Sequence, residues 1–306
     1  MATTADPGAD ERAAPYGPAG RPAWMDIDWR EHLRWVRVHG TPVNVVDIGS
    51  GPALLFLHGL SGCWQNWLEN IPDFARDHRV VAVDLPGFGA SPMPSDAISV
   101  AGYARLLVGL LDELGIGDVR IVGNSMGGFV GAELAIRNPD RVRRLVLVAA
   151  AGLSMRQLRH ERRRGLRPRV ENLLFFGLGR LASRSDIVVR SSRLRRALLA
   201  LIVAHPERLP GPLILEQASG AGKPGFDDAL DAMTGYPIRD RLGEVACPAL
   251  VVWGQEDRLV PLRDASEFEW LIPDARKIVY ADTGHMVMFE RPARFNADVR
   301  AFLEER

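Results

Sequence analysis

The chain has 306 residues, 47% of them hydrophobic, and its 38 lysines and arginines balance 38 aspartates and glutamates, giving a formal net charge of zero. That length and apolar content suffice for a full core in one large or two small domains, and a neutral chain offers no global attraction for nucleic acid. Two cysteines, Cys63 and Cys247, are too few for a disulfide framework and stand in no metal-type cluster, so a stapled secreted scaffold and a cysteine-held metal are excluded and a reducing, cytoplasmic setting is expected.

Residues 1–24 are rich in Ala, Pro and Gly and carry Asp6, Asp10 and Glu11. They lack the apolar run of a secretory signal, and their acids disfavour a transit peptide, so they read as a disordered tail. Trp35 to Ile48 reads as a hairpin turning near Gly40-Thr41-Pro42, and Ala53 to Leu57 (ALLFL) opens a parallel sheet. Trp64 to Ala75 has a helical pattern, Arg79 to Asp84 is strand-like, and Val100 to Leu114 is helical. A strand at Asp118 to Val122, a helix at Met126 to Asn138 and a strand at Val142 to Val148 follow. The alternation predicts a doubly wound α/β sheet.

At Ala150 the alternation stops. Gly152 to Tyr236 is helical in pattern, with Pro206, Pro210, Pro212, Pro224 and Pro237 cutting its second half into short pieces. Strands resume at Ala249 to Trp253 (ALVVW) and Lys277 to Tyr280 (KIVY), and Pro292 to Glu305 closes the chain as a helix. The expected organisation is a core of residues 25–151 and 237–306 with residues 152–236 inserted as a helical cap. No apolar run reaches the eighteen residues of a membrane span.

Gly123-Asn124-Ser125-Met126-Gly127 lies at the junction of a strand and a helix. A serine there is held on a sharp, strained turn, and the glycines on either side remove Cβ atoms that would strike the neighbouring strand and helix. The hydroxyl is thereby presented at a helix N-terminus as a nucleophile, which needs a base and an orienting acid. Among seven histidines, His285 follows the Lys277–Tyr280 strand and precedes the last helix, where open parallel sheets place their chemistry. Asp257, four residues beyond Trp253, completes the order Ser, Asp, His; Asp282 is the rival acid, but three positions from His285 on one loop it can seldom reach back. Two backbone N–H groups should hold the oxyanion: that of Met126 after the nucleophile, and that of Leu60 in the His58-Gly59-Leu60-Ser61-Gly62 loop.

These landmarks, taken together, resemble the α/β-hydrolase superfamily from about Trp35 to Arg306: H-G-x at His58, D-L-P-G-F-G-x-S at Asp84 to Ser91, the elbow at Ser125, G-x-x-D ending at Asp257, and Gly284-His285. The resemblance implies an α/β-hydrolase fold and a serine hydrolase acting through an acyl-enzyme, with a carboxylic ester as its first substrate class. Because the elbow carries a serine, similarity to the branches that attack with a carboxylate, the dehalogenases and epoxide hydrolases, stops at the fold. The run G-N-S-M-G-G looks like the branch that cleaves carbon–carbon bonds in ring-fission products, which stands as the alternative. A ligand receptor that has lost its chemistry is a third reading, and the complete triad counts against it.

Other residues have their own expectations. Trp64, Phe175 and Phe176 are candidate substrate contacts, with core packing as the competing account. His58 reads as a structural hydrogen-bonding residue, and Asp84 and Ser91 as the residues that shape their Pro-Gly loop. Between Met155 and Ala197 thirteen arginines face Glu161, Glu171 and Asp186, a local balance of +10. A solvated helix face is the favoured account, with weak association to an anionic membrane surface as the minority one. The expected partner is a small-molecule substrate, with no cofactor and no metal.

Overall fold

The computed structural model describes residues 15–154 and 191–305. Eight strands form one sheet: β1 (Leu33–Val38), β2 (Thr41–Ile48), β3 (Ala53–Leu57), β4 (Arg79–Val83), β5 (Val119–Asn124), β6 (Val142–Val148), β7 (Ala249–Gly254) and β8 (Ala275–Tyr280), in the order β1-β2-β4-β3-β5-β6-β7-β8. β2 pairs antiparallel with β1 and with β4, and every other neighbour is parallel. The hairpin turns at His39-Gly40, slightly earlier than expected. Pairing of Val38 with Thr41 leaves a two-residue loop, and both its residues have positive φ, 49° and 86°, as the tight turn that matches strand twist requires.

Alternate residues of the central strands enter opposite faces, and both faces are covered. Leu55, Leu57, Ile121 and Val251 pack under α2 (Val100–Glu113), α3 (Met126–Arg137) and α7 (Leu262–Leu271), whereas Leu54, Phe56, Val122 and Val252 pack under α1 (Ile71–Phe74), α8 (Val287–Glu290) and α9 (Pro292–Glu304). Each such Leu or Phe, fully buried, contributes about 1.5–3 kcal/mol from lost water contact, which is why these strands are almost unbroken apolar runs.

Two expectations need correction. The helix expected over Trp64 to Ala75 is a 3₁₀ turn at Trp64–Trp67 followed by the short α1; Pro72 has no N–H to continue a helix and sits in the first turn of a new one. The expected tail is packed from Tyr16 onward. Tyr16 and Trp24 are buried, the Tyr16 hydroxyl donates to Glu290 Oε2 at 2.7 Å and the Trp24 indole donates to Glu69 Oε1 at 2.7 Å. An average over a Pro- and Ala-rich stretch hides two rings that each carry an apolar body and one polar handle.

Within the expected cap, residues 152–236, the described stretch 191–236 holds α4 (Ser192–Leu199), α5 (Gly211–Ala218), α6 (Phe226–Thr234) and a 3₁₀ turn at Pro206–Arg208, and no strand among the described residues. It meets the core through Gly225 N–H to Gly87 O at 3.0 Å and Asn66 Nδ2 to Gln217 Oε1 at 2.6 Å. Among the described residues no helix is long and apolar enough to cross a membrane.

Candidate active site

The turn between β5 and α3 puts Ser125 at φ 52° and ψ −115°, a conformation that L-residues adopt only when the surroundings impose it. The surroundings are close. A Cβ on Gly127 would lie 2.2 Å from the Leu57 carbonyl oxygen, and one on Gly123 would lie 2.5 Å from the Gly127 carbonyl carbon, so only glycine lets α3 start against β3 and β5. Ser125 N–H donates to Val148 O at 2.9 Å, and Ser125 O accepts from Ala151 N–H at 3.1 Å, which ties the turn to the end of β6.

Asp257 and His285 lie on loops after β7 and β8. Their contact, Asp257 Oδ2 to His285 Nδ1, is 2.7 Å, with side chains 0% and 3% exposed. Asp257 Oδ1 accepts the N–H groups of Leu259 at 2.8 Å and Val260 at 2.9 Å, so the carboxylate is held from behind. Facing that acceptor, Nδ1 carries the proton, which leaves Nε2 as the basic nitrogen. Asn124 bridges the two halves of the site, its Nδ2 donating to Val148 O at 3.2 Å and to His285 O at 3.5 Å.

The rival acid is engaged elsewhere. Asp282 accepts from Arg291 Nη2 at 3.1 Å and Arg208 Nη1 at 3.4 Å and meets His205 Nε2. Burial pushes its carboxyl up, but His205, Arg291 and Arg208 outweigh that and hold it below the ordinary carboxylate range.

The loop after β3 lies beside the serine: a Cβ on Gly59 would come within 3.1 Å of Ser125 Cβ. His58 shapes this loop. Its Nε2 accepts from Leu85 N–H at 3.0 Å, so Nδ1 is the protonated nitrogen and donates to Gly59 O at 2.7 Å. Burial pushes the His58 imidazole below its ordinary pKa despite the nearby Asp84; a neutral ring with both nitrogens engaged is a brace. Asp84 accepts from Trp64 N–H at 2.8 Å, Asn44 Nδ2 at 2.9 Å and Ala90 N–H at 2.8 Å, and Ser91 Oγ donates to Asp84 O at 2.7 Å. Met126 is the first residue of α3, so its N–H is one of the four that a helix leaves without an internal acceptor, and Leu60 N–H lies in the adjoining loop.

Trp64, a candidate substrate contact with core packing as the competing account, is buried with its ring 4.9 Å from that of Trp29. Phe175 and Phe176 lie outside the described residues, as do the arginines from Arg156 to Arg190. Of the three arginines that follow, Arg196 pairs with Glu207 at 3.0 Å.

Glu290 was not anticipated. It is fully buried, and its carboxylate accepts the N–H of Gly284 at 2.9 Å and that of Met286 at 3.0 Å, the two residues that flank His285. The only local signal is a carboxylate ending the apolar run Met286 to Phe289, and its other partners come from distant parts of the chain.

Comparison with known proteins gives a consistent frame. The sequence model of the alpha/beta hydrolase fold matches residues 52–292. Over 282 residues the chain is 34% identical to a 2-hydroxymuconate semialdehyde hydrolase of Pseudomonas sp. (strain CF600), spanning 87% of this chain and 92% of that protein. It is also 34% identical, over 277 residues, to the dihydrolipoyllysine-residue acetyltransferase component of the acetoin cleaving system of Cupriavidus necator, spanning 87% of this chain and 67% of that protein. The crystal structure of a variant of the meta-cleavage product hydrolase CumD matches with a TM-score of 0.69 at 26% identity, covering 90% of this chain and 100% of that one.

Proposed function

Because the chain belongs to the alpha/beta hydrolase family, we propose that it is a serine hydrolase in which Ser125 attacks, His285 shuttles the proton and Asp257 orients the imidazole. The observation that carries this reading is the 2.7 Å contact between the buried Asp257 and His285 side chains, on loops after two parallel strands of the sheet that also carries the strained Ser125.

In the proposed reaction Ser125 Oγ bonds to a substrate carbonyl carbon while its proton passes to His285 Nε2. The carbonyl oxygen becomes an oxyanion, and the N–H groups of Leu60 and Met126 donate to it. As the carbonyl re-forms, the bond to the leaving group breaks and that group takes the proton from Nε2. Water then repeats the sequence on the acyl-enzyme: it gives a proton to Nε2, its oxygen bonds to the acyl carbon, and Ser125 Oγ departs with the proton returned.

The leaving group separates two readings. The chain is 34% identical both to a semialdehyde hydrolase and to an acetyltransferase component, and neither of these is named for ester hydrolysis. An alkoxide leaves readily and asks nothing beyond the groups above, so we take a carboxylic ester of an apolar small molecule as the first reading. The second, favoured by the relative and the structural neighbour named for hydrolysis of semialdehyde and meta-cleavage products, is carbon–carbon cleavage of a dienoic diketone. There the departing carbon must be stabilised as a dienolate after the substrate enol has become a ketone.

A fluorophosphonate should label the protein and fail to label Ser125→Ala, which should also lose ester turnover by roughly 10³-fold or more. Equal labelling of the two would remove Ser125 as nucleophile. Steady-state rates on a p-nitrophenyl ester and on 2-hydroxy-6-oxo-6-phenylhexa-2,4-dienoate then choose the leaving group: a much higher kcat/KM on the dienoate replaces the ester reading.

A further inference from the structure

The loop carrying His285 is held at every peptide N–H around the imidazole. Gly284 and Met286 donate to the two oxygens of Glu290, and His285 N–H itself donates to Ile202 O at 3.0 Å. Glu290 Oε2 also accepts from Ala204 N–H at 2.9 Å and the Tyr16 hydroxyl at 2.7 Å, and the same hydroxyl accepts from His205 N–H at 2.9 Å. Gly17 N–H donates to the Glu290 carbonyl at 2.7 Å. Three segments far apart in the chain thus converge on one carboxylate: the N-terminal stretch, the link that follows α4, and the His285 loop. The contact is too close for a side chain in the loop, since a Cβ on Gly284 would lie 2.8 Å from Ala204 N and 3.1 Å from Glu290 Oε1.

Resting on the assignment of Ser125, His285 and Asp257 above, we propose that Glu290 is a positioning residue that sets the place of the His285 imidazole and makes it depend on Tyr16 and on the Ile202–His205 link. A buried carboxylate is costly unless its lone pairs are filled, and here four donors fill them. Burial pushes the Glu290 carboxyl above the ordinary range, against the opposing pull of the Ala204, Gly284, Tyr16 and Met286 donors. Two of those donors are the peptide groups on either side of the base, so a change at the carboxylate is delivered to His285 before it reaches any other part of the site.

Glu290→Gln isolates this effect with no change of shape. An amide can keep its oxygen on the three donors at Oε2, but its NH₂ then opposes the Met286 N–H, and the loop must move there. Misplacement of a catalytic group by a fraction of an ångström to an ångström lowers kcat by roughly 10- to 100-fold. We expect that loss on p-nitrophenyl acetate with KM within about twofold, because the oxyanion loop is untouched. The far-downfield resonance of the His285 Nδ1 proton, observed in the protein without substrate, should shift or broaden. Tyr16→Phe, which removes one donor from the carboxylate and the acceptor of His205 N–H, should lower kcat roughly threefold and move the same resonance. A folded Glu290→Gln with wild-type kcat, or with its resonance unmoved, overturns the proposal; if that variant does not fold, Tyr16→Phe decides by the same two readouts. Failure of the catalytic reading is seen separately, as absence of fluorophosphonate labelling in the unaltered protein, whereas the resonance reports on His285 without turnover.

Discussion

Asp257 and Asp282 make the sharpest comparison at the scale of single residues. Both are carboxylates on loops near His285, yet one meets the imidazole at 2.7 Å and the other is surrounded by Arg291, Arg208 and His205. Asp257→Asn should keep the fold, because Leu259 and Val260 can still donate to the amide oxygen. It should lower kcat by roughly 10³- to 10⁴-fold, since the amide nitrogen favours the imidazole tautomer with its proton on Nε2. Asp282→Asn should cost far less, because asparagine tolerates the positive φ of 54° found there and the residue does not touch His285 Nδ1. Parallel measurement of kcat for the two purified variants checks the pair, and a slower Asp282→Asn would transfer the orienting role.

Between elements, polar joints near both ends of the segment expected as a cap add to the apolar packing of Leu213, Ile214 and Met233 on the core. At its start, Ser154 N–H and Oγ donate to Asp264 Oδ2 on α7 at 3.1 and 2.7 Å. Beyond its end, Arg241 donates from Nη1 to both oxygens of Glu133 on α3, at 3.1 and 2.9 Å, and Tyr236 and Arg137 reach the same carboxylate. Glu133 is fully buried whereas Arg241 is partly exposed. Removing the carboxylate strands an arginine that solvent can partly reach, so Glu133→Ala should cost about 3 kcal/mol, the low end for breaking a buried pair. Chemical denaturation checks it, and a midpoint equal to wild type would mean that residues 236–241 are held by apolar packing alone. A change confined to stability, with ester kcat little altered in the folded fraction, is expected because the polar partners of Glu133 are Arg137, Tyr236 and Arg241, whereas Asp257 is held by Leu259, Val260 and His285.

At the scale of the whole molecule, the sheet edge shows how stability should follow pH. Asp47 on β2 accepts from Arg79 on β4 at 3.0 and 2.9 Å and pairs with Arg34 on β1, so one carboxylate ties three strands. Burial raises its pKa, but the bidentate Arg79 and then Arg34 outweigh that and hold it below the ordinary 3.8. A carboxyl with a depressed folded pKa binds fewer protons folded than unfolded. Its stabilisation is therefore complete above about pH 4 and is lost as pH falls through the lower folded value. Asp47→Asn should be less stable than wild type at neutral pH, with the difference shrinking toward zero in strong acid. Thermal melts from pH 7 to pH 2 check this, and a gap independent of pH would assign the loss to packing.

The sequence by itself determined what is local. The elbow at Ser125, the loop at His58 and each strand and helix are written in adjacent residues, because a tight turn needs its glycines in place and a strand buried on both faces needs an apolar run; Ser125, Asp257 and His285 are legible only through their order along the chain. The division of Asp257 from Asp282 was legible only as a rule of order; the separate salt-bridge cluster around Asp282 is assembled from His205, Arg208 and Arg291. Only the tertiary structure decided that Tyr16 and Trp24 are anchors, that Trp64 packs on Trp29, and that Glu290 accepts the peptide N–H groups on either side of His285. Tyr16 and Glu290 are 274 residues apart, and a hydrogen bond between such residues leaves no period or spacing in the chain. It exists because folding buries a carboxylate, and a buried carboxylate must draw its donors from whatever segments the fold brings to it.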